Sequence, residues 1–232
     1  MKHILTTLAQ KWPEYLLEIM VLIIGIYGAF ALEEWNEQRK ETSAKSALIE
    51  NLSEEFRNNL TQIDIVLSND RLAVAVSLKL MELIKTKDWS QLSDSSFSGV
   101  GRLYSFDPSI GVLRSAISSG EIQLLSNKRL ISHLFSWEDL VKDAKENEIR
   151  FIDHHIQTMP QFLDRIQIAN TLNIYDSKIP KSNYQSNYTA VLNDPHYENF
   201  LAYKITYINE AEKELIIVRE RIIEILELLE KE

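Results

Sequence analysis

The stretch that decides the fold is Leu16-Leu-Glu-Ile-Met-Val-Leu-Ile-Ile-Gly-Ile-Tyr-Gly-Ala-Phe-Ala-Leu32. It carries one charged side chain, Glu18, in seventeen residues. Trp12 and Trp35 flank it at a separation of 23 residues. A helix of that length spans about 34 Å, close to the ~30 Å hydrocarbon core of a bilayer. The pattern therefore predicts one transmembrane helix over residues 14–34.

Aromatic and basic side chains at both ends of the stretch are typical of a membrane–water interface. We predict five interfacial anchors: Trp12, Tyr15, Trp35, Arg39 and Lys40. A cleaved signal peptide is the alternative, because Ala29-Phe30-Ala31 matches the small-x-small cleavage pattern. The apolar run is, however, longer than the usual signal core of 7–15 residues.

One face of the predicted span combines a charge with small residues. It comprises Glu18, Leu22, Gly25 and Ala29. Gly25 and Ala29 form a small-xxx-small pair, which lets two helices approach closely, so we predict that this face associates with another helix. An ionisable residue in a span is also a functional hypothesis in its own right. A proton- or ion-coupled assembly that uses Glu18 is the alternative, unless Glu18 simply reaches headgroup water.

The composition excludes several classes of function. The formal charge is −9, and residues 1–32 contribute none of it, because Lys2 and Lys11 balance Glu14 and Glu18. An acidic domain repels phosphate backbones, so we expect no nucleic-acid partner. The chain has no cysteine, which excludes disulfides, thiolate metal sites and cysteine nucleophiles.

The rest of the chain predicts an all-α protein. Only 6 glycines and 5 prolines interrupt it, and apolar residues recur mostly at helical spacing. We divide the chain into an N-terminal tail (1–13), the transmembrane helix (14–34), a helical stalk (35–47) and a helical-bundle domain (48–232). Pro13 suits the first turn of the membrane helix. The bundle should contain three or four long helices and some short ones.

Capping residues predict several helix ends. The first long helix should run to about Thr86. Ser109 is expected to cap a short helix that reaches Ser118 and ends at Gly120. Asn127 should cap a helix that continues to about Met159, and Asp194-Pro195 should open the last one.

The last helix carries an apolar seam with 3–4 spacing over about three heptads. Its members are Ile208, Ala211, Leu215, Val218, Ile222, Ile225 and Leu229. This coiled-coil pattern allows two arrangements. The seam packs against the first long helix, or it pairs between subunits of a homo-oligomer.

No motif predicts a cofactor, a metal or a catalytic site. His154 and His155 are adjacent, so on a helix they point about 100° apart and lack the i, i+4 spacing of a shared metal site. We interpret them as part of a solvated helix face. A membrane-tethered hydrolase that uses one of them with nearby carboxylates is the less favoured alternative.

Two sequence elements resemble a family of bacterial single-pass membrane proteins of unknown function. The first comprises Gly25, Ile26, Trp35, Asn36, Glu37, Arg39 and Lys40. The second is Ile117-Ser-Ser-Gly-Glu-Ile-Gln-Leu-Leu-Ser-Asn127. The resemblance implies a retained anchor and a helical domain, and it implies no activity.

The combined expectation is a non-catalytic membrane protein that acts by interaction, as a sensor, scaffold or assembly subunit. Its expected partners are the lipid bilayer, a second copy of itself and an unidentified protein. The positive charges flanking the span are nearly balanced between its two sides. We expect insertion in the cell (inner) membrane with the bundle on the extracytoplasmic side.

Overall fold

A computed structural model describes the backbone of residues 2–90, 92–100 and 103–232, and the side chains of Trp12 and of these ranges from Leu16 onward. Within those ranges all the regular structure is helical, so the all-α prediction is confirmed. The α-helices are α1 (Lys2–Thr86), α2 (Gly111–Ser119), α3 (Lys128–Phe135), α4 (Trp137–Thr158), α5 (Ile168–Asn173), α6 (Tyr188–Leu192) and α7 (Pro195–Leu229). Short 3₁₀ turns cover Asp94–Phe97, Glu121–Leu124 and Met159–Phe162.

Helix α1 is 85 residues long and joins the predicted span, stalk and first bundle helix without a break. It ends at Thr86 as predicted. Its start at Lys2 corrects the expectation that the helix opens at Pro13. Residues 2–12 contain neither glycine nor proline, so nothing in them stops the helix, and a proline removes only one backbone hydrogen bond.

Helices α1, α4 and α7 form the bundle, and α7 packs against both of the others. Its larger apolar cluster lies near the stalk and extends from Leu48 of α1 to Leu229 of α7. A second cluster at the far end surrounds Leu80, Phe162 and Phe200. A small third cluster contains Ala73, Phe151 and Ile208.

The N-terminus of α2 is capped by side chains of α1. The Glu55 carboxylate accepts hydrogen bonds from the amides of Val112 (2.7 Å) and Leu113 (3.0 Å). Asn59 accepts from the Ser109 amide at 2.8 Å. The expectation that Ser109 caps this helix is wrong, because a carboxylate is a stronger acceptor for helix N-terminal amides than a hydroxyl. Gly120 ends α2 with φ 81°, as predicted.

The helix expected from residue 128 to Met159 is divided at Ser136 into α3 and α4. The Ser136 hydroxyl donates to the carbonyl of His133, and this local bond competes with the helical pattern. Trp137 follows at once and is fully buried, with its ring edge-on to Phe56 at 5.1 Å. Asn127 caps α3 through the amides of Arg129 and Leu130, as predicted.

The far end of the bundle is built from turns and short helices between Met159 and Asn193. Asp194 caps α7 by accepting the His196 amide at 2.9 Å, which confirms the predicted start of this helix. Arg165 donates to the other carboxylate oxygen of Asp194 at 2.8 Å. This ion pair attaches the irregular segment to the start of α7.

Candidate functional sites in the anchor and the bundle

The apolar part of α1 is uncovered. Every side chain from Leu16 to Ala44 is exposed, including Trp35 at 60% and Leu32 at 68%. In the described residues this is the one helix long and apolar enough to cross a membrane. An apolar surface this large needs a lipid or protein environment.

The predicted interfacial anchors lie at the two ends of this surface. Trp12 and Trp35 are both 60% exposed. The guanidinium of Arg39 lies over the Trp35 ring, 5.9 Å from its centroid. Lys40 is exposed beside them, whereas the side chain of Tyr15 lies outside the described residues.

The predicted association face is open. Glu18, Leu22, Gly25 and Ala29 are all exposed. A methyl group added at Gly25 would meet no atom within 4 Å. Nothing within the described chain packs on this face, so a partner helix has access to it.

The apolar seam of α7 is covered within the chain. All seven predicted members are at most 4% exposed. Helix α7 makes its contacts with α1 and α4, which corresponds to the first of the two arrangements that the sequence allows. The seam is therefore not available for pairing between subunits.

Four buried ionisable side chains form a site that the sequence analysis did not single out, and we call it the charged layer. Its members are Asp70 of α1, Glu148 and His155 of α4, and Lys204 of α7. They are at most 6% exposed. The layer lies between the two large apolar clusters, next to the small one around Phe151.

Lys204 is the most deeply buried member, with 0% of its surface exposed. Its ammonium group donates to the carbonyls of Gly99 (3.4 Å) and Val100, and it lies 5.8 Å from the Phe151 ring centroid. Burial lowers the pKa of Lys204 to about 7, although the negative charge of Asp70 opposes this shift. Lys204 therefore holds the loop after Phe97 against α7.

Asp70 is the carboxyl group whose charge acts on the ammonium group of Lys204. Burial, and then the charges of Glu148 and Glu212, raise the pKa of Asp70 to about 7, while Lys204 acts in the opposite direction. Because the pKa values of Asp70 and Lys204 both lie near 7, a small change in pH around neutrality alters the charge of the layer.

Glu148 has a structural role in the layer. Its carboxylate accepts the Ser105 hydroxyl at 2.9 Å and the Phe106 amide at 3.2 Å. Burial raises the pKa of Glu148, and these hydrogen bonds moderate the increase. Glu148 thereby fixes the segment that leads into α2.

The two histidines contact aromatic rings. The His154 ring lies 5.3 Å from Tyr203 and 6.1 Å from Phe200, and His155 lies 5.5 Å from Phe200. Burial, followed by the charges of Lys204 and His154, lowers the pKa of His155 to about 4. The interpretation of both residues as a solvated face is wrong for His155, which is buried. No metal-ligating group of three occurs among the described residues.

The charged layer could have been found by extending the helical spacing through charged residues. Lys204 lies four residues before Ile208, which continues the α7 seam, and Asp70 lies three residues after Leu67 in the α1 stripe. The apolar periodicity is interrupted at both positions. A charged residue at a position where the helical spacing calls for an apolar one, on both α1 and α7, is the pattern that indicates this layer in the sequence.

An ion pair closes the end of the bundle that faces the stalk. Lys45 of α1 contacts the Glu232 carboxylate at 2.6 Å and donates to the Ser126 hydroxyl at 2.9 Å. Glu232 also accepts the amides of Ser126 (2.8 Å) and Asn127. These contacts join the start of the bundle in α1 to the end of α7.

The fold and these sites define an all-α protein with one candidate membrane span and a helical bundle. The chain belongs to a family of unknown function, DUF6090, which matches residues 18–137. No curated protein matches the chain. No solved structure matches it either.

The family match has a clear relation to the structure. It covers the candidate span from Glu18 onward, the following part of α1, the α2 cap formed by Glu55, and α3, and it ends at the first residue of α4. Of the charged layer, only Asp70 lies within it. The expectation of a family of unknown function is thus confirmed, while the charged layer belongs mostly to the unmatched part of the chain.

Proposed function

We propose that this protein is a single-pass, membrane-anchored interaction module without catalytic activity, which presents its helical bundle at a fixed height and orientation. The observation that carries this proposal is the continuity of α1. One helix contains an uncovered apolar surface over Leu16–Leu32 and a buried stripe that starts at Leu48. The lipid bilayer is the partner that the uncovered part fits.

The link between the anchor and the bundle supports a role in positioning. From Leu32 to Leu48 the helix rises about 24 Å without a break. The ion pair of Lys45 with Glu232 then fixes α7 to the top of this stalk. A flexible tether would leave the height and direction of the bundle undefined, whereas a helix and a closed base define both.

We propose that the bundle lies on the extracytoplasmic side of the inner membrane. The support is the absence of cysteine, because the positive charges on the two sides of the span are nearly balanced. A cysteine-free domain suits an oxidising compartment. An unidentified protein partner would then bind the bundle outside the cytoplasm.

Topology and anchoring can be tested with single-cysteine variants of the full chain. We expect a membrane-impermeant maleimide to label Asp143→Cys in intact spheroplasts, and Thr6→Cys only after lysis. Asp143 is exposed in α4, and Leu113→Cys is the control because Leu113 is fully buried. Alkaline carbonate should leave the protein in the membrane fraction.

Each other result has a definite meaning. The reverse labelling pattern would put the bundle in the cytoplasm and overturn the localisation alone. Release by carbonate, or a mature protein shortened by about 30 residues as expected for signal-peptide cleavage, would overturn the anchor.

The alternative functions depend on particular side chains. An ion-coupled assembly depends on Glu18, which is exposed on the open face of the span. If that alternative is right, Glu18→Gln should abolish proton or ion coupling. An interaction module should tolerate the same substitution. A hydrolase needs a carboxylate on a histidine nitrogen, and in the described chain the contacts of His154 and His155 are with aromatic rings.

A further inference from the structure

The outward face of α1 within the bundle is exposed and partly apolar. Ile65 is 56% exposed and Leu72 is 62% exposed, and Thr61 and Ser68 lie beside them on the same face. The opposite face of α1 is buried in the bundle core through Phe56, Ile63 and Leu67. We call the face that contains Thr61, Ile65, Ser68 and Leu72 the outward face.

The outward face is aligned with the association face of the anchor. Ile65 follows Ala29 by 36 residues, and Thr61 follows Gly25 by the same number. Thirty-six residues make about ten turns of an α-helix, so these pairs point in the same direction along an unbent α1. One side of a single helix thus contains the small residues of the span and the exposed apolar residues of the bundle.

The bundle occupies the other side of the same helix. The buried residues Phe56, Ile63 and Leu67 follow Met20, Tyr27 and Ala31 by 36 residues each. Two anchors that pack through Gly25 and Ala29 would therefore carry their bundles on the outside. The bundles would not collide, and their outward faces would meet.

We propose that the outward face is the contact surface for a second copy of this chain, in a parallel dimer that has α1 against α1. This proposal rests on the membrane anchoring argued above. A common membrane makes the two α1 helices parallel, and the continuous stalk then sets Ile65 and Leu72 of one copy opposite the same segment of the other.

Two charged residues along the edge of the face are already neutralised. Asp64 pairs with Arg219 at 2.6 Å, and Arg71 pairs with Glu212 at 2.6 Å, both within one chain. These residues therefore present no unpaired charge to a second copy. Glu54 is exposed on the same side and would face Glu54 of the second copy. Repulsion between these two negative charges disfavours contact at that height.

The apolar area of the outward face is too small to hold two copies of the chain together by itself. A stable interface between soluble proteins buries about 800 Å² on each partner, more than two exposed side chains provide. Confinement in one membrane raises the effective concentration of the second contact once the anchors have met. The outward face thus acts together with the anchor and adds orientation to the dimer.

Disulfide crosslinking of the full chain in membranes tests the proposal, because the protein has no cysteine of its own. Ala29→Cys and Ser68→Cys lie on the proposed interface. Ala31→Cys in the span and Ser118→Cys on exposed α2 are the matched controls. We expect oxidation to give about tenfold more dimer for each interface variant than for its control.

A pair of exposed leucines gives a second test in the Ser68→Cys background. Leu72→Lys should reduce crosslinking about tenfold, because it places two like charges at the contact. Leu78→Lys is the control, since Leu78 is also exposed on α1 (52%) but lies on another side of the helix. Both side chains are outside the core, so neither change should unfold the bundle.

The outcomes separate this proposal from the anchoring itself. If the Ala29→Cys variant forms a crosslinked dimer and the Ser68→Cys variant does not, the interface is confined to the span and the proposal is overturned. No crosslinking at either position, in protein that resists carbonate, would show a monomer and leave the anchor intact. Protein that carbonate releases would overturn both.

Discussion

The side chains of Asp70 and Lys204 set the chemistry of the bundle interior. Burial moves their pKa values to about 7 from opposite sides, upward for the carboxyl group and downward for the ammonium group. Burial of a charged group is costly unless another group compensates it, so burial favours the neutral form of both side chains. In this bundle α1 and α7 each have one register that brings the two residues together.

This pair predicts a minimum in stability near pH 7. Folded Asp70 keeps its proton up to about pH 7 and unfolded Asp70 only to about 3.8, so its contribution to stability is lost as the pH rises through 7. Lys204 loses its proton near pH 7 when folded and near 10.5 when unfolded, so its contribution increases from pH 7 upward. His155, whose pKa is lowered to about 4, opposes the effect of Asp70 up to about pH 6.5. The part of the free energy of unfolding that Asp70 and Lys204 contribute, measured with urea at pH 5, 7 and 9 against a variant that keeps His155, should therefore be lowest at pH 7.

The control for this prediction is the double variant Asp70→Asn, Lys204→Met. It keeps Glu148, whose pKa burial raises, and His155, whose pKa burial lowers, so the difference between the two proteins isolates Asp70 and Lys204. That difference should pass through a minimum at pH 7. A variant with the same pH profile as the natural protein would contradict the assigned pKa shifts.

At the scale of elements, α2 depends on α1 for its N-terminal cap. Glu55 is 6% exposed and its carboxylate accepts two amides at the start of α2. The bonds link residues that are more than fifty positions apart in the chain. The position of α2 on α1 is therefore fixed by polar contacts as well as by Leu113 and Ala116 in the core.

Replacing Glu55 by glutamine should destabilise the bundle by about 1–2 kcal/mol, because a neutral amide is a weaker acceptor at a helix N-terminus. The neighbouring Glu54→Gln should change stability by less than about 0.5 kcal/mol, since Glu54 is exposed. Thermal unfolding followed by circular dichroism measures both. Equal effects of the two variants would rule out the cap as a source of stability.

The same cap shows where prediction from sequence ends. Asn127 and Asp194 were predicted correctly as caps, because each accepts amides only two or three residues away. The replacement of Ser109 by Glu55 depends on tertiary packing, which local patterns do not contain. The break at Ser136 was missed for a similar reason, since the apolar periodicity continues through it from Leu134 to Trp137.

The candidate sites divide in the same way. The uncovered apolar helix could be predicted because a long apolar run with few charges is visible directly in a sequence. The charged layer was missed because its members interrupt the apolar faces of three separate helices. Only packing places Lys204 near Asp70, which lies far from it in sequence.

At the scale of the whole molecule, the unbroken α1 would couple the direction of the bundle to the rotation of the proposed anchor. Each residue of a helix turns the chain by about 100°, so the length of the stalk sets which way the outward face points. Two alanines inserted after Lys40 should rotate the bundle by about 200° relative to the span. Seven alanines should rotate it by only about 20° while raising it by about 10 Å.

We predict that the two-residue insertion abolishes crosslinking at Ser68→Cys and preserves it at Ala29→Cys. The seven-residue insertion should preserve both, although it is the larger change. Crosslinking of the two variants in membranes, side by side, is the measurement. Loss of the Ser68→Cys dimer in both insertions would mean that height, and not rotation, positions the bundle.

Under the proposed anchoring, the unbroken α1 would also transmit a change in the tilt of the span to the far end of the bundle. The helix rises about 77 Å from Trp35 to Thr86. Transmembrane helices tilt by up to about 40°, and a longer apolar run tilts further in a thinner bilayer. A change in tilt of only about 10° would swing the far end of the bundle sideways by roughly 13 Å. A small difference in bilayer thickness would thus reach any molecule bound at that end as a movement wider than an α-helix.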